Sequence, residues 1–130
     1  MHWRFANGCS RTASRRRGFS LSQPDCLFCR LVASGDHVHA ADGFVAIRDI
    51  DPKAETHLLV LPARHVDTFR DIAEFPDDEV ARMLRFVAQT AARAGLEDYR
   101  VMVNVGPGGG QTVFHLHWHV LGGASLPGFA

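Results

Sequence analysis

The stretch Gln111-Thr-Val-Phe-His-Leu-His-Trp-His-Val-Leu121 decides how this chain is read, because His115, His117 and His119 stand at alternate positions in it. A β-strand sends residues i, i+2 and i+4 to one face. A strand here therefore lines three imidazoles along one surface and turns Leu116, Trp118 and Val120 into a core. A helix would scatter the three rings, and the β-branched and aromatic neighbours favour the strand. Each imidazole has two nitrogens that need partners, so three are costly to bury without a purpose. Imidazole is also the usual ligand and acid–base group near neutral pH. The alternation points to a site rather than to a solvated strand face.

Just upstream lies Gly106-Pro-Gly-Gly-Gly110. Such a loop can take positive φ and approach a ligand closely, and its successive N–H groups can form an anion-binding nest. Alone it reads as an ordinary hairpin turn. Placed before three histidines, it reads as a phosphate cradle beside a nucleophile.

Outward from this region the pattern predicts an α+β domain. Asp25 to Ser34 has the apolar stripe of a short helix stopped by Gly35. Val38 to Ala40 and Phe44 to Arg48 form a hairpin about the Asp42-Gly43 turn. His57 to Leu61 is a strand closed by Pro62, and Asp67 to Ala73 a short helical turn. Pro76 to Ala94 is the strongest helix. Asp77, Asp78 and Glu79 complement its positive end, and Val80, Met83, Leu84, Val87, Ala91 and Ala94 follow its period as a core stripe. Tyr99 to Val103 and Val113 to Leu121 are the last strands, joined by the glycine loop. Together they make an antiparallel sheet carrying two main helices.

Composition bounds the function. The chain has 130 residues, 46% of them hydrophobic, which suits one globular domain with a modest core. No apolar run is long enough to span a membrane. Formal net charge is zero, yet Arg4, Arg11, Arg15, Arg16 and Arg17 all precede Asp25, the first acidic residue. The remainder is acidic, which argues against a broad basic face for nucleic acid. Residues 1–24 are Arg- and Ser-rich, free of acids and without apolar periodicity. They are expected to be a disordered or artefactual extension, or a transit-like peptide by composition. They contain no apolar h-region, so a secretory signal is not expected. Three cysteines, an odd number, do not make a secreted disulfide framework. A cytoplasmic location is expected, or an organellar one if the extension is a transit peptide. Cys26-Leu-Phe-Cys29 can hold one metal between two thiolates, and it can equally be a pair of inert core cysteines.

The run from Gly109 to Gly123, GGQTVFHLHWHVLGG, resembles the signature of the histidine triad (HIT) nucleotide-binding family. Asp42 to Ile50, Pro52, Thr56 to Pro62 and His65 resemble the first half of its Hint branch, and Tyr99 to Asn104 the strand that leads into the phosphate loop. The resemblance covers residues 25–123, so 25–130 is taken as the domain. It implies a five-stranded sheet extended across a homodimer, with Val87, Ala91 and Val101 as contributors to the interface. It implies a purine nucleoside phosphoramidase-like hydrolase, acting on adenosine phosphoramidates and related AMP or GMP derivatives through a covalent nucleotidyl-histidine.

Matched residue by residue, the resemblance makes His117 the nucleophile, His119 a phosphate contact, and Thr112 a hydroxyl near the phosphate and leaving group. Asp49 would bind ribose and Ile50 line the base and sugar pocket, with Asn104, Gly110 and Gln111 on the phosphate side. His57 matches a buried supporting histidine and is left outside the catalytic set. Cys26, Cys29, His65 and His115 match a structural Zn²⁺ site of bacterial-type members. Two other functions compete: a dinucleoside polyphosphate hydrolase, and a low-turnover nucleotide-binding regulator. Val120-Leu-Gly-Gly123 favours the Hint branch over the former, and the intact triad argues against the latter. Residues 124–130 depart from the longer Trp-Pro tail of many Hint proteins, which helps to select the leaving group.

Overall fold

A computed structural model describes residue 23, residues 25–124 and residues 126–128. The expected N-terminal extension lies outside them, Gln23 excepted. In chain order the elements are α1 (Leu27–Ser34), β1 (His39–Ala41), β2 (Phe44–Arg48), β3 (Thr56–Pro62), a 3-10 helix (Phe69–Glu74), α2 (Asp77–Arg93), β4 (Tyr99–Met102) and β5 (Trp118–Gly122). A short 3-10 turn (Pro107–Gly109) lies within the glycine loop. The strands form one antiparallel sheet in the order β1-β2-β3-β5-β4.

Local chemistry explains the boundaries. Asp42 and Gly43 have φ of 54° and 89°, the two positive values that a two-residue hairpin turn requires. The N-cap of α1 is Cys26, whose sulfur accepts from the Cys29 N–H at 3.4 Å. Pro76 caps α2, three acids fill its first turn and Arg93 sits in its last, each complementing the helix dipole.

Period two sorts the sheet into two faces. Phe44, Ala46, Leu58, Val60, Leu116 and Val120 pack with Met83, Phe86, Val87 and Ala91 of α2. On the other face Val45, Ile47, Leu59 and Leu61 pack with Val113 and with Cys26, Phe28 and Cys29 at α1. Leu84, expected in the α2 stripe, is 50% exposed, and Phe86 and Thr90 occupy the buried positions instead. Val87 and Ala91 are core residues of this chain, whereas Val101 is exposed on the β4 edge.

The last strand is shorter than its pattern suggests. Residues 113–117 precede β5 without pairing as a strand. The Leu116 N–H donates to the Val66 carbonyl at 2.6 Å, so this segment satisfies its backbone against the loop after β3. The three histidines therefore do not share one surface. His117 and His119 line one cavity, and His115 turns to a different cluster.

Candidate functional site

A cavity of about 450 Å³ opens on the sheet face that α1 covers. Register fixes its walls. His119 stands opposite Leu59 of β3 and Met102 of β4, and Leu121 opposite His57 and Arg100. Phe28 of α1 closes the side near His117, edge-on to that ring at 4.9 Å between centroids. Asp49, Asn104, Gly110 and Thr112 also line the space.

Hydrogen bonds set the tautomers. His117 Nδ1 lies 2.7 Å from the His115 carbonyl, which can only accept, so Nδ1 carries the proton and Nε2 keeps a free lone pair. The Lys53 N–H donates to His57 Nδ1 at 3.0 Å, which leaves the His57 proton on Nε2. That N–H points to His119 Nδ1 at 2.9 Å, with Asp49 Oδ2 at 3.4 Å. His119 consequently carries its own proton on Nε2, a buried atom with no partner among the described residues. Burial pushes His117 below the usual imidazole range, against the opposing hydrogen bond to His115. Burial also lowers His57, outweighing the Asp49 carboxylate. For His119, burial reinforced by His117 and His57 brings the value to about 3. All three rings are thus neutral at neutral pH: one is an available nucleophile, one an available donor, and one orients the donor.

Asp49 is held by its neighbours. Its Oδ1 accepts from the Asp51 N–H at 2.8 Å, and its side chain is only 7% exposed. Ile50 is 71% exposed and does not line the cavity; Leu59, Val113 and Phe28 supply its apolar wall. Gly110, at φ 94°, packs against the Asn104 carboxamide in a conformation that a side chain would strain. Gln111 is buried away from the cavity. Its Oε1 accepts from the Gly106 N–H at 2.9 Å, and its Nε2 donates to the carbonyls of Asp67 and Val113. It braces the loop from behind and leaves no side-chain polar group for a ligand. Asp49, His57 and His119 also converge closely, but both His57 nitrogens are spent on hydrogen bonds, so this group reads as a relay and not as a metal cage.

The second cluster joins Cys26, Cys29, His65 and His115, whose ligand atoms all lie within 4.8 Å of one another. Cys29 Sγ is 3.3 Å from His65 Nδ1 and 3.5 Å from His115 Nδ1, and Cys26 Sγ is 3.5 Å from His115 Nδ1. Zinc bond lengths of about 2.3 Å to sulfur and 2.0–2.1 Å to nitrogen make the S···N edge of a tetrahedron about 3.5 Å. The four positions therefore have the spacing that ion needs, with Cys26, disulfide-bonded in this structure, supplying a thiolate once reduced. Outer partners aim the rings: His65 Nε2 donates to Asp67 Oδ1 and His115 Nε2 to the Pro62 carbonyl, each at 2.9 Å. Both rings therefore direct Nδ1 inward, as metal-binding imidazoles braced by an outer acceptor do. Burial, with His65 alongside, lowers His115 to about 3. His65 is raised to about 9, because Asp67 and Cys29 together outweigh its burial.

Sequence reasoning missed Asp67 and the place of Arg100 on the cavity wall; His57 was read as a supporting histidine, without its partners. His57 takes one partner, the Lys53 N–H, from four residues upstream and the other, His119, from 62 residues away, so its orientation carries little local signal. Asp67, two residues after His65, was the one outer partner close enough in sequence to find.

The HIT domain matches residues 30–126 of the chain. A purine nucleoside phosphoramidase of Escherichia coli is 37% identical over 93 residues, covering 70% of this chain and 78% of that protein. A crystal structure of a HIT family hydrolase from Legionella pneumophila superposes with a TM-score of 0.69 at 37% identity, covering 78% of this chain and 96% of that one. A zinc-bound histidine triad family protein from Mycobacterium smegmatis superposes with a TM-score of 0.61 at 30% identity, covering 74% and 73%.

Proposed function

The chain belongs to the histidine triad family, and from that premise we propose that it hydrolyses purine nucleoside phosphoramidates through a nucleotidyl-histidine on His117. The observation that carries this reading is the fixed tautomer of His117. Its Nδ1–H is tied to the His115 carbonyl, and its Nε2 lone pair is free beside the cavity. The likeness to the Escherichia coli phosphoramidase supports the substrate class.

In this mechanism Asp49 accepts the ribose hydroxyls while Asn104, Gly110 and Thr112 hold the phosphate. His117 Nε2 forms a bond to phosphorus as the bond to the leaving nitrogen breaks, and the amine departs with a proton drawn from solvent. His119 Nε2–H donates to a phosphoryl oxygen and stabilises the charge that develops there. Water then attacks phosphorus, the electron pair returns to His117 Nε2, and the nucleoside monophosphate leaves as the borrowed proton is released. Cys26, Cys29, His65 and His115 would hold a structural zinc that pins α1 to the segment before β5; it takes no part in these steps. The exposed apolar edge of β4, with Tyr99, Val101 and Met102, supports a homodimer joined along that strand. No helix among the described residues is long and apolar enough to cross a membrane.

Steady-state turnover of adenosine 5′-phosphoramidate, set beside a dinucleoside polyphosphate, tests the reading. Release of AMP from the former at a rate well above the latter is expected. Turnover confined to the polyphosphate would reverse the assignment.

A further inference from the structure

We propose that Arg100 reads a carboxylate on the departing amine, so that the chain selects nucleoside phosphoramidates of amino-acid type over those of neutral amines. The inference rests on the phosphoramidase reading above and assigns the half of the cavity that reading leaves unused. His119 stands between Leu59 on one flank and Met102 on the other. Asp49 and His57 lie toward the Leu59 flank, on the β2–β3 side, and there the ribose is held. A group leaving the phosphorus must then lie over β4. Along that strand Arg100 lies two residues before Met102 on the same face, about 7 Å away by strand geometry, a distance that an arginine stem spans.

Charge singles this residue out. The cavity holds two cations, Lys53 and Arg100. Lys53 Nζ is neutralised by Asp51, at 3.1 Å from its Oδ2 and 2.8 Å from its carbonyl. Arg100 has no carboxylate within 4 Å among the described residues; its one polar partner is the Pro127 carbonyl, accepting from Nη2 at 2.6 Å. That bond ties the guanidinium to residues 126–127, which also line the cavity, and leaves further N–H groups available in its planar fork. A planar, half-buried, uncompensated guanidinium at the leaving-group end matches a carboxylate, which it can bind with two parallel hydrogen bonds.

The test compares adenosine 5′-phosphoramidates of glycine and of glycinamide, which differ only in the carboxylate, on the full-length protein. Wild-type kcat/KM should favour glycine by about ten- to a hundredfold, as loss of a charge-assisted hydrogen bond predicts. The ratio should fall toward one in Arg100→Met and survive in part in Arg100→Lys, with melting temperature confirming that both variants fold. A wild-type ratio near one, or a preference that persists in Arg100→Met, overturns the role of Arg100 and leaves the phosphoramidase reading standing. Failure of the folded wild-type protein to cleave either compound removes that reading, and this proposal with it.

Discussion

Replacing His57 tests the relay that sets the donor on His119. In His57→Phe the ring keeps its shape but loses both polar contacts. The Lys53 N–H loses its acceptor at 3.0 Å, and His119 Nδ1 loses its donor at 2.9 Å. Each buried group left unsatisfied costs about 1–3 kcal/mol. Lys53 lies near the surface, so the lower end applies there, and the expected loss of folding stability is about 2–4 kcal/mol. Catalysis suffers separately, because His119 is then free to carry its proton on Nδ1 and to present a lone pair to the phosphoryl oxygen. A misdirected acid–base group typically costs about 10²–10⁴ in rate. Since His119 retains one correct tautomer part of the time, the lower end is expected here. In His57→Gln the amide oxygen can accept from Lys53 and the amide nitrogen can donate to His119, so much of kcat should return. Urea denaturation and steady-state kinetics on an adenosine phosphoramidate read both effects. The tautomer argument fails if the Gln variant is no faster than the Phe variant, or if the Phe variant matches wild type.

Zinc should bind at about one ion per chain in protein prepared under reducing conditions, and Asp67→Asn should weaken it by about ten- to a hundredfold in a chelator competition. An unchanged affinity would mean that His65 is not a ligand braced by Asp67. Light scattering at micromolar concentration should report a dimer for the wild type and a monomer for Val101→Arg; a monomeric wild type would remove β4 as an interface. A further consequence concerns pH. Burial, aided by His117 and His57, lowers folded His119 to about 3, while the unfolded ring titrates near its ordinary value of about 6.5. Between these values the unfolded chain binds more protons, so the stability this group permits is complete above pH 6.5. It erodes as pH falls toward 3, by up to about 1.4 kcal/mol per unit. Urea midpoints at pH 7 and pH 5 should therefore converge in His119→Asn, and an unaltered pH dependence would contradict the shift.

Period two and turn chemistry were enough to read most of the fold. The Asp42-Gly43 turn, the acids at the start of α2 and the opposed faces of Leu116, Trp118 and Val120 are all local signals, and the structure carries each of them. Long-range bonds account for what was illegible. Residues 113–117 alternate like a strand, but the Leu116 N–H is claimed by Val66, so β5 begins at Trp118 and His115 turns to the cysteines. His57 was marked as a supporting histidine by the resemblance alone, because its partner His119 lies 62 residues away. The family resemblance, and no local pattern, put Gln111 on the phosphate side; its amide ties Gly106 to Asp67 and Val113, bonds that join separate segments. Ile50 adjoins Asp49 in sequence, yet the chain bends there and carries its side chain out to solvent. Arg100 gives no sign in the sequence at all; only the register of β4 against β5 brings it to the cavity.

The most direct test of the central claim is to trap the covalent intermediate. The enzyme is mixed briefly with an adenosine phosphoramidate labelled in the nucleotide, quenched in base and mapped by peptide mass. A phosphorus–nitrogen adduct is expected on His117, stable to base and lost in acid, and absent from a folded His117→Ala protein that no longer turns over substrate. Wild-type turnover by that variant, or label on any other residue, would contradict the account.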